Sequence, residues 1–395
     1  MRLKGLLHKI FMGASQNLDK RIHAALLLAA EALLEFRHLS IAGLGRTLNT
    51  SAKVKHAIKR MDRLFGNLHL QEHKLNYYQE IVNCFIKNNK QPIIVVDWSG
   101  LTRCGKFHFL RAAIPVGGRA LPILDLAFSI SEYMTPGAHQ HFLRCLKAIL
   151  PKQCYPIIVT DAGFRCPWFK LVKSFHWNFV GRIRHKTRFS RHESQDWHPI
   201  KMLYQHASAK ETHLFNALLT QVNKLPCEFY LIKENKKNRV RKNLAGKKIQ
   251  CSVSKKHEKR ENEPWLIVTS LSPENFSALQ IINIYKKRMQ IEESFRDLKN
   301  MRNGFGLRHC RSSGVERLNI ALLIGALAMW VLWVLGAAVK AQKMHWEFQS
   351  NTTRHRNVLS HFTIGWQFIR KKLPHYPMKI LVKTLQEVAE CTQIC

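Results

Sequence analysis

The chain has 395 residues, enough for two or three domains, each with its own core. Lys and Arg number 63 against 26 Asp and Glu, a formal net charge of +37. With 46% hydrophobic residues it is no disordered tail, and a globular chain this basic meets a polyanion: nucleic acid first, an anionic membrane surface second.

Residues 1–75 read as all-helical, a DNA-binding domain rich in Leu and Ala with no proline before Pro92. His8 and Lys9 break the apolar run at the N-terminus too early for a secretory signal. Ser40 to Leu48 is a short helix with a capping serine, Asn49-Thr50-Ser51 a turn, and Ala52 to Phe65 a second helix. This is a helix-turn-helix over about 40–65. Its second helix carries Lys53, Lys55, His56, Lys59, Arg60 and Arg63 outward, with Val54, Ala57, Ile58, Met61 and Leu64 as the inward stripe. Lys53, Lys59 and Arg60 are its candidate DNA contacts.

From Gln91 the texture changes to strands. Pro92–Asp97 is a fully apolar run ending in a carboxylate, hence a central strand. Lys106–Val116, the Gly117-Gly118 turn and Arg119–Ile130 make a hairpin. Pro136–Leu150 is a helix, and His139 and His141 near its start read as a polar helix start rather than a metal pair. Pro156–Asp161 repeats the apolar run that ends in aspartate; Pro167–Phe175 is a helix and Trp177–Arg184 a fifth strand. Three meandering strands, a helix, a strand, a helix and a strand is the order of a ribonuclease-H-like α/β domain, expected over residues 90–317. In that layout the first and fourth strands run parallel, side by side, and deliver Asp97 and Asp161 to one edge.

An inserted β subdomain is expected over about 185–275, with strand-like pieces at Cys227–Ile232 and Trp265–Ser270. Within it Lys233 to Arg260 holds twelve Lys/Arg and two acids, Glu234 and Glu258, a composition suited to tracking phosphates. Ile320 to Val339 is twenty residues without a charge, long enough to span a bilayer at about 1.5 Å per residue. Directly after a charged helix, it reads instead as a core helix, opening a C-terminal helical region over 318–395. The ten cysteines include no C-x-x-C pair, which indicates reduced thiols in a cytosolic protein.

The most informative group is Tyr285, Arg288, Glu292 and Lys299. Their offsets of 3, 7 and 14 put all four within roughly 60° on one face of a continuous helix. A tyrosine, two cations and a carboxylate on one stripe suit a phosphodiester backbone with a metal ion beside it. Three carboxylates, Asp97, Asp161 and Glu292, would raise one another's pKa unless hard cations such as Mg²⁺ or Mn²⁺ neutralised them. Two such ions can activate an attacking oxygen and stabilise the leaving one in an in-line displacement. Asp97 is the expected bridging ligand, Asp161 and Glu292 one ligand each. Glu293 lies about 100° round the helix from Glu292 and is the rival third carboxylate; Asp297 and Asp125 are further rivals.

These residues resemble a known family. Tyr285-x2-Arg288-x3-Glu292-x6-Lys299 is similar to the Y-R-E-K signature of bacterial cut-and-paste insertion-sequence transposases with a DDE site. Asp97 in Val-Val-Asp-Trp-Ser and Asp161 in Val-Thr-Asp-Ala-Gly-Phe look like that family's two aspartate motifs. The whole run from Tyr285 to Lys299, followed by Gly304-Phe-Gly-Leu-Arg-His309, looks especially like the Tn-ten type of transposase. The resemblance implies Mg²⁺-dependent end nicking, hairpin formation and resolution, and strand transfer, performed by a homodimer on paired terminal inverted repeats and target DNA. It implies phosphate contacts by Tyr285, Arg288 and Lys299, stacking of a flipped base on Trp265, and Met289 as a wedge. It also implies a cytoplasmic, nucleoid-associated protein with no membrane span. The competing readings are a catalytically silent protein that binds or represses transposon ends, and a membrane-associated basic protein.

Overall fold

The computed structural model describes residues 5, 7–8, 11–15, 18–86, 89–102, 104–184, 186–191, 196–234, 251, 262–353 and 355–371. It is a mixed α/β protein of two compact units: Met1–Pro156 with Met289–Cys395, and Ile157–Arg288. Most of the basic run 233–260, and the chain beyond 371, lie outside the described residues.

Among the described residues the first unit carries, ahead of its sheet, helices α1 (Lys20–Phe36), α2 (Ile41–Thr47), α3 (Val54–Phe65) and α4 (Leu68–Phe85). Ser40 caps α2 by accepting the Gly43 N–H at 3.1 Å. Gly45 lets α2 cross α3: a Cβ there would lie 2.5 Å from the Ile58 Cα. On α3 the buried residues are Ala57, Met61, Leu64 and Phe65. Val54, expected to point inward, is 55% exposed at the first position of α3. Lys53, Lys55, His56, Lys59, Arg60 and Arg63 are all on the outer side of α3, with Lys53, Lys59 and Arg60 exposed.

Strands β1 (Ile93–Gly100), β2 (Phe107–Pro115) and β3 (Ala120–Ser129) form an antiparallel meander. The β2–β3 turn has Gly117 and Gly118 at φ of 72° and 87°, a conformation that a side chain would strain. Helix α5 (Pro136–Ile149) follows, capped by Thr135.

In the second unit, strands β4 (Ile157–Thr160) and β5 (Asn178–Ile183) are parallel, joined by α6 (Cys166–Ser174). The sheet continues antiparallel through β6 (Arg188–Ser190), β7 (His198–Pro199), β8 (Thr212–Leu219), β9 (Leu225–Ile232) and β10 (Trp265–Thr269) in the order β4-β5-β10-β9-β8-β6-β7. Helix α7 (Ala278–Lys286) closes the unit, started by a capping box in which Ser277 and Gln280 exchange hydrogen bonds.

The first unit then resumes with α8 (Met289–Lys299), α9 (Val315–Ala341) and α10 (His361–Arg370). The single helix expected to carry Tyr285, Arg288, Glu292 and Lys299 is therefore two. The chain tightens at Lys287 and Arg288, whose N–H groups donate three residues back to the Ile284 and Tyr285 carbonyls, and the i,i+4 ladder stops without a glycine or proline.

Helix α9 is the core of its unit. It is long and apolar enough to cross a membrane, and 94% of its most apolar 18-residue window is buried within the protein. Its two polar anchors hold it to β3: Asn319 Oδ1 accepts the Ala127 N–H at 2.8 Å, and Trp330 Nε1 donates to the Pro122 carbonyl at 2.7 Å. A helix apolar all round is stable when covered all round, as α9 is by β3, α1 and α10.

Candidate active site

In the first unit the register of the meander sets the site. Asp97 on β1, Arg111 on β2 and Asp125 on β3 are successive cross-strand partners, so their side chains share one face of the sheet. Helix α8 covers that face. Arg111, fully buried, grips Asp125 with two 2.7 Å bonds and donates to Ser294 Oγ of α8 at 2.6 Å. Ser99 and Phe109, the next pair along the same face, meet Lys299 and Phe295: Lys299 Nζ donates to Ser99 Oγ, and the Phe109 and Phe295 rings lie edge-on at 5.3 Å. Trp98 faces the other way, and its Nε1 donates to His139 Nε2 of α5 at 3.1 Å. Burial holds the His139 pKa down at about 4, so the ring stays neutral and accepts that bond.

Asp97 is half-buried, and its Oδ1 accepts the Trp98 N–H at 2.8 Å. Glu292 is exposed on α8 and lines an open cleft of about 260 Å³ with Phe295, Arg296, Lys299, Asn300 and Arg308. Lys299 is held by Ser99 and the Gly100 carbonyl and sits over Phe295 and Phe109 at 5.1 and 5.7 Å. Burial lowers its pKa to about 8; Arg308 and Arg111 push the same way, and Asp97 opposes them. Met289, at the start of α8, is exposed.

The rival carboxylates are already engaged by arginines. Glu293 pairs with Arg296 at 2.8 Å and Arg119 at 3.7 Å, Asp297 with Arg119 at 2.7 Å, and Asp125 with Arg111.

In the second unit Asp161 follows β4, half-buried, in a turn where its Oδ1 accepts the Gly163 N–H at 2.8 Å. Tyr285 is buried at the end of α7 within the electrostatic reach of Arg288, Arg182, Asp161 and Arg184. Burial raises its pKa, so at neutral pH it is a phenol. Trp265, half-buried at the start of β10, lies edge-on to Tyr285, with ring centroids 5.3 Å apart at 75°. Beneath it the Arg182 guanidinium stands 5.5 Å from the indole and donates to the Glu263 and Pro264 carbonyls at 3.1 and 3.3 Å. A cavity of about 650 Å³ beside the Asp161 turn is lined by Phe164, Arg165, Arg184, Lys186, Thr187 and Asn223, among others.

The sequence did not single out Ser99, Arg182, Arg184 or Arg308. The Arg182 signal was a charge inside an apolar strand, a pattern that requires a buried partner.

The donor sets suit a divalent cation. Asp97, Asp161 and Glu292 offer carboxylate oxygens, the ligands that hard ions take.

Residues 88–331 match the transposase DDE domain family, and the chain belongs to that family. Members of the family catalyse DNA transposition, so the protein is a DNA-cleaving and strand-transferring enzyme of a class that uses divalent metal ions. No curated protein matches the chain. Among solved structures it is similar to the piggyBac transposase synaptic complex with hairpin DNA, a cryo-EM structure, at 11% identity and a TM-score of 0.41, covering 100% of this chain and 86% of that one.

Proposed function

We propose that this protein is a cut-and-paste transposase of an insertion sequence, of the Tn-ten type. It acts as a homodimer on paired terminal inverted repeats and target DNA, in the cytoplasm on the nucleoid. Asp97, Asp161 and Glu292 are the catalytic carboxylates, and Tyr285, Arg288, Glu292 and Lys299 are its Y-R-E-K signature.

One observation carries this reading: α8 lies on the Asp97 face of the meander, presenting Glu292 and Lys299. Mg²⁺ held by the three carboxylates, with Mn²⁺ able to substitute, would activate the attacking water or 3′-hydroxyl and stabilise the leaving oxygen. Lys299, Arg288 and the phenol of Tyr285 bind the phosphates flanking the scissile bond. Half-buried, edge-packed on Tyr285 and braced by Arg182, Trp265 offers a face on which an unstacked base can lie, worth about 1–3 kcal/mol. Exposed Met289 fills the space that base leaves, and Lys53, Lys59 and Arg60 contact the backbone of the repeat. Nicking, hairpin closure, hairpin opening and joining are then successive phosphoryl transfers at one set of carboxylates.

The reading is tested by incubating purified protein and Mg²⁺ with a labelled duplex bearing the element's own end, and resolving products on a denaturing gel. A nick followed by a hairpin, both lost in Glu292→Gln and retained in Glu293→Gln, is expected. Equal loss in Glu293→Gln would reassign the third carboxylate.

A further inference from the structure

Helix α4 carries a cluster that the DDE chemistry leaves unused. His69, Glu72 and His73 stand at i, i+3 and i+4, the spacing that stacks side chains on one face of successive turns. Their donor atoms, one from each residue, all lie within 4.8 Å of one another, and the two imidazoles are 4.6 Å apart, tilted at 40°. His69 and Glu72 are exposed and His73 is half-buried. None of the three makes a side-chain hydrogen bond or an ion pair among the described residues, even though so basic a chain offers Glu72 many cations.

The backbone beneath them is fixed. Asn67 caps α4 by accepting the Leu70 N–H at 2.7 Å, and Leu70, Tyr77 and Tyr78 are fully buried. Gln71, between the ligands, donates through Nε2 to the Glu316 carbonyl, and its own carbonyl accepts from Lys74 Nζ at 3.2 Å. The three side chains therefore project from one anchored helix face, their donors within 4.8 Å of one another, against the spacing of about 3.4 Å that a tetrahedral ion requires.

We propose that His69, Glu72 and His73 form a second metal site, for a borderline transition ion of the Zn²⁺ class. Two imidazoles and one carboxylate are Zn²⁺ ligands, whereas Mg²⁺ and Ca²⁺ take oxygen alone. Three protein ligands on an exposed helix face leave the fourth position to water. The ion ties the first turn of α4 to the second, and through α4 it stabilises the helices packed on it.

The test is calorimetric titration of Zn²⁺ into the full chain with Mg²⁺ in excess, alongside thermal melts with and without Zn²⁺. The wild type is expected to bind one ion per chain at this site and to melt higher with Zn²⁺. In His73→Ala, His69→Ala and Glu72→Gln the affinity falls at least about tenfold and the Zn²⁺-dependent rise in melting temperature shrinks or disappears. Metal-free melts matching the wild type show that the variants fold. Zn²⁺ binding of unchanged stoichiometry and affinity in the histidine variants, or no Zn²⁺ effect on the wild type, would overturn the site. Co²⁺ in place of Zn²⁺ adds a spectroscopic check, since its visible band should be lost in the same variants.

Discussion

Lys299 Nζ lies 3.2 Å from the Gly100 carbonyl, which ties the last turn of α8 to the end of β1. That bond, with the one to Ser99 Oγ, places an ammonium between the strand-borne and helix-borne elements of the candidate site in the first unit. Its desolvation makes it the most pH-sensitive cation there, with a pKa near 8 rather than the ordinary 10.5.

DNA-end binding and strand transfer should therefore weaken with an apparent pKa of about 8 as Lys299 loses its proton. In Lys299→Arg that alkaline limb should flatten, because a guanidinium stays charged. The effect on folding has the opposite sign. Between pH 8 and 10.5 the unfolded chain binds the proton and the folded chain does not, so the Lys299 contribution to stability rises through that window. A pH profile of end binding identical in the two proteins would remove Lys299 from the DNA contact.

Arg182→Met should free the Glu263 and Pro264 carbonyls and take away the support under Trp265. The expected loss is about 1–3 kcal/mol in a denaturant titration, with a shift in tryptophan emission. Unchanged emission would show that Arg182 does not position the indole.

The triple substitution of Lys53, Lys59 and Arg60 by Ala should leave the melting temperature near that of the wild type, because all three side chains are exposed. End binding should weaken, and its log–log salt slope should fall by roughly 0.9 for each phosphate that the variant leaves unneutralised. A slope that does not change would place the helix-turn-helix away from DNA.

Arg111→Met leaves Asp125 as an unpaired buried carboxylate and should cost about 3–5 kcal/mol, read from the denaturant midpoint. Replacing both residues by apolar ones of similar size should recover much of that stability. Failure of the double variant to recover would show that the Arg111 bond to Ser294 dominates.

Much of this architecture is legible in the sequence, for definite reasons. The runs ending at Asp97 and Asp161 are apolar because strands β1 and β4 are covered on both faces, and the glycine pair 117–118 marks its turn because only such residues sit easily at positive φ there. Helix α9 is long and apolar enough to span a membrane by composition alone; its place directly after a charged helix reads it as a core helix, and in the structure Asn319 and Trp330 find partners on β3. The break at Lys287 and Arg288 carries no sequence mark, since i→i−3 tightening needs neither glycine nor proline. Strand β8 escaped notice because its outward residues, such as His213 and Asn216, pair with Glu228 and blur the apolar alternation. The preference for Glu292 over Glu293 rests in the sequence on the register of one continuous helix, and the break at Lys287 and Arg288 leaves only Glu292 and Lys299, seven residues apart on α8, in that register.

The most direct test of the central claim uses a plasmid carrying the gene's own flanking ends. Purified protein is added with and without Mg²⁺, beside an Asp97→Ala control. The account predicts metal-dependent excision with hairpin ends, absent in the control. Binding of the ends without strand cleavage, or cleavage that survives Asp97→Ala, would contradict it.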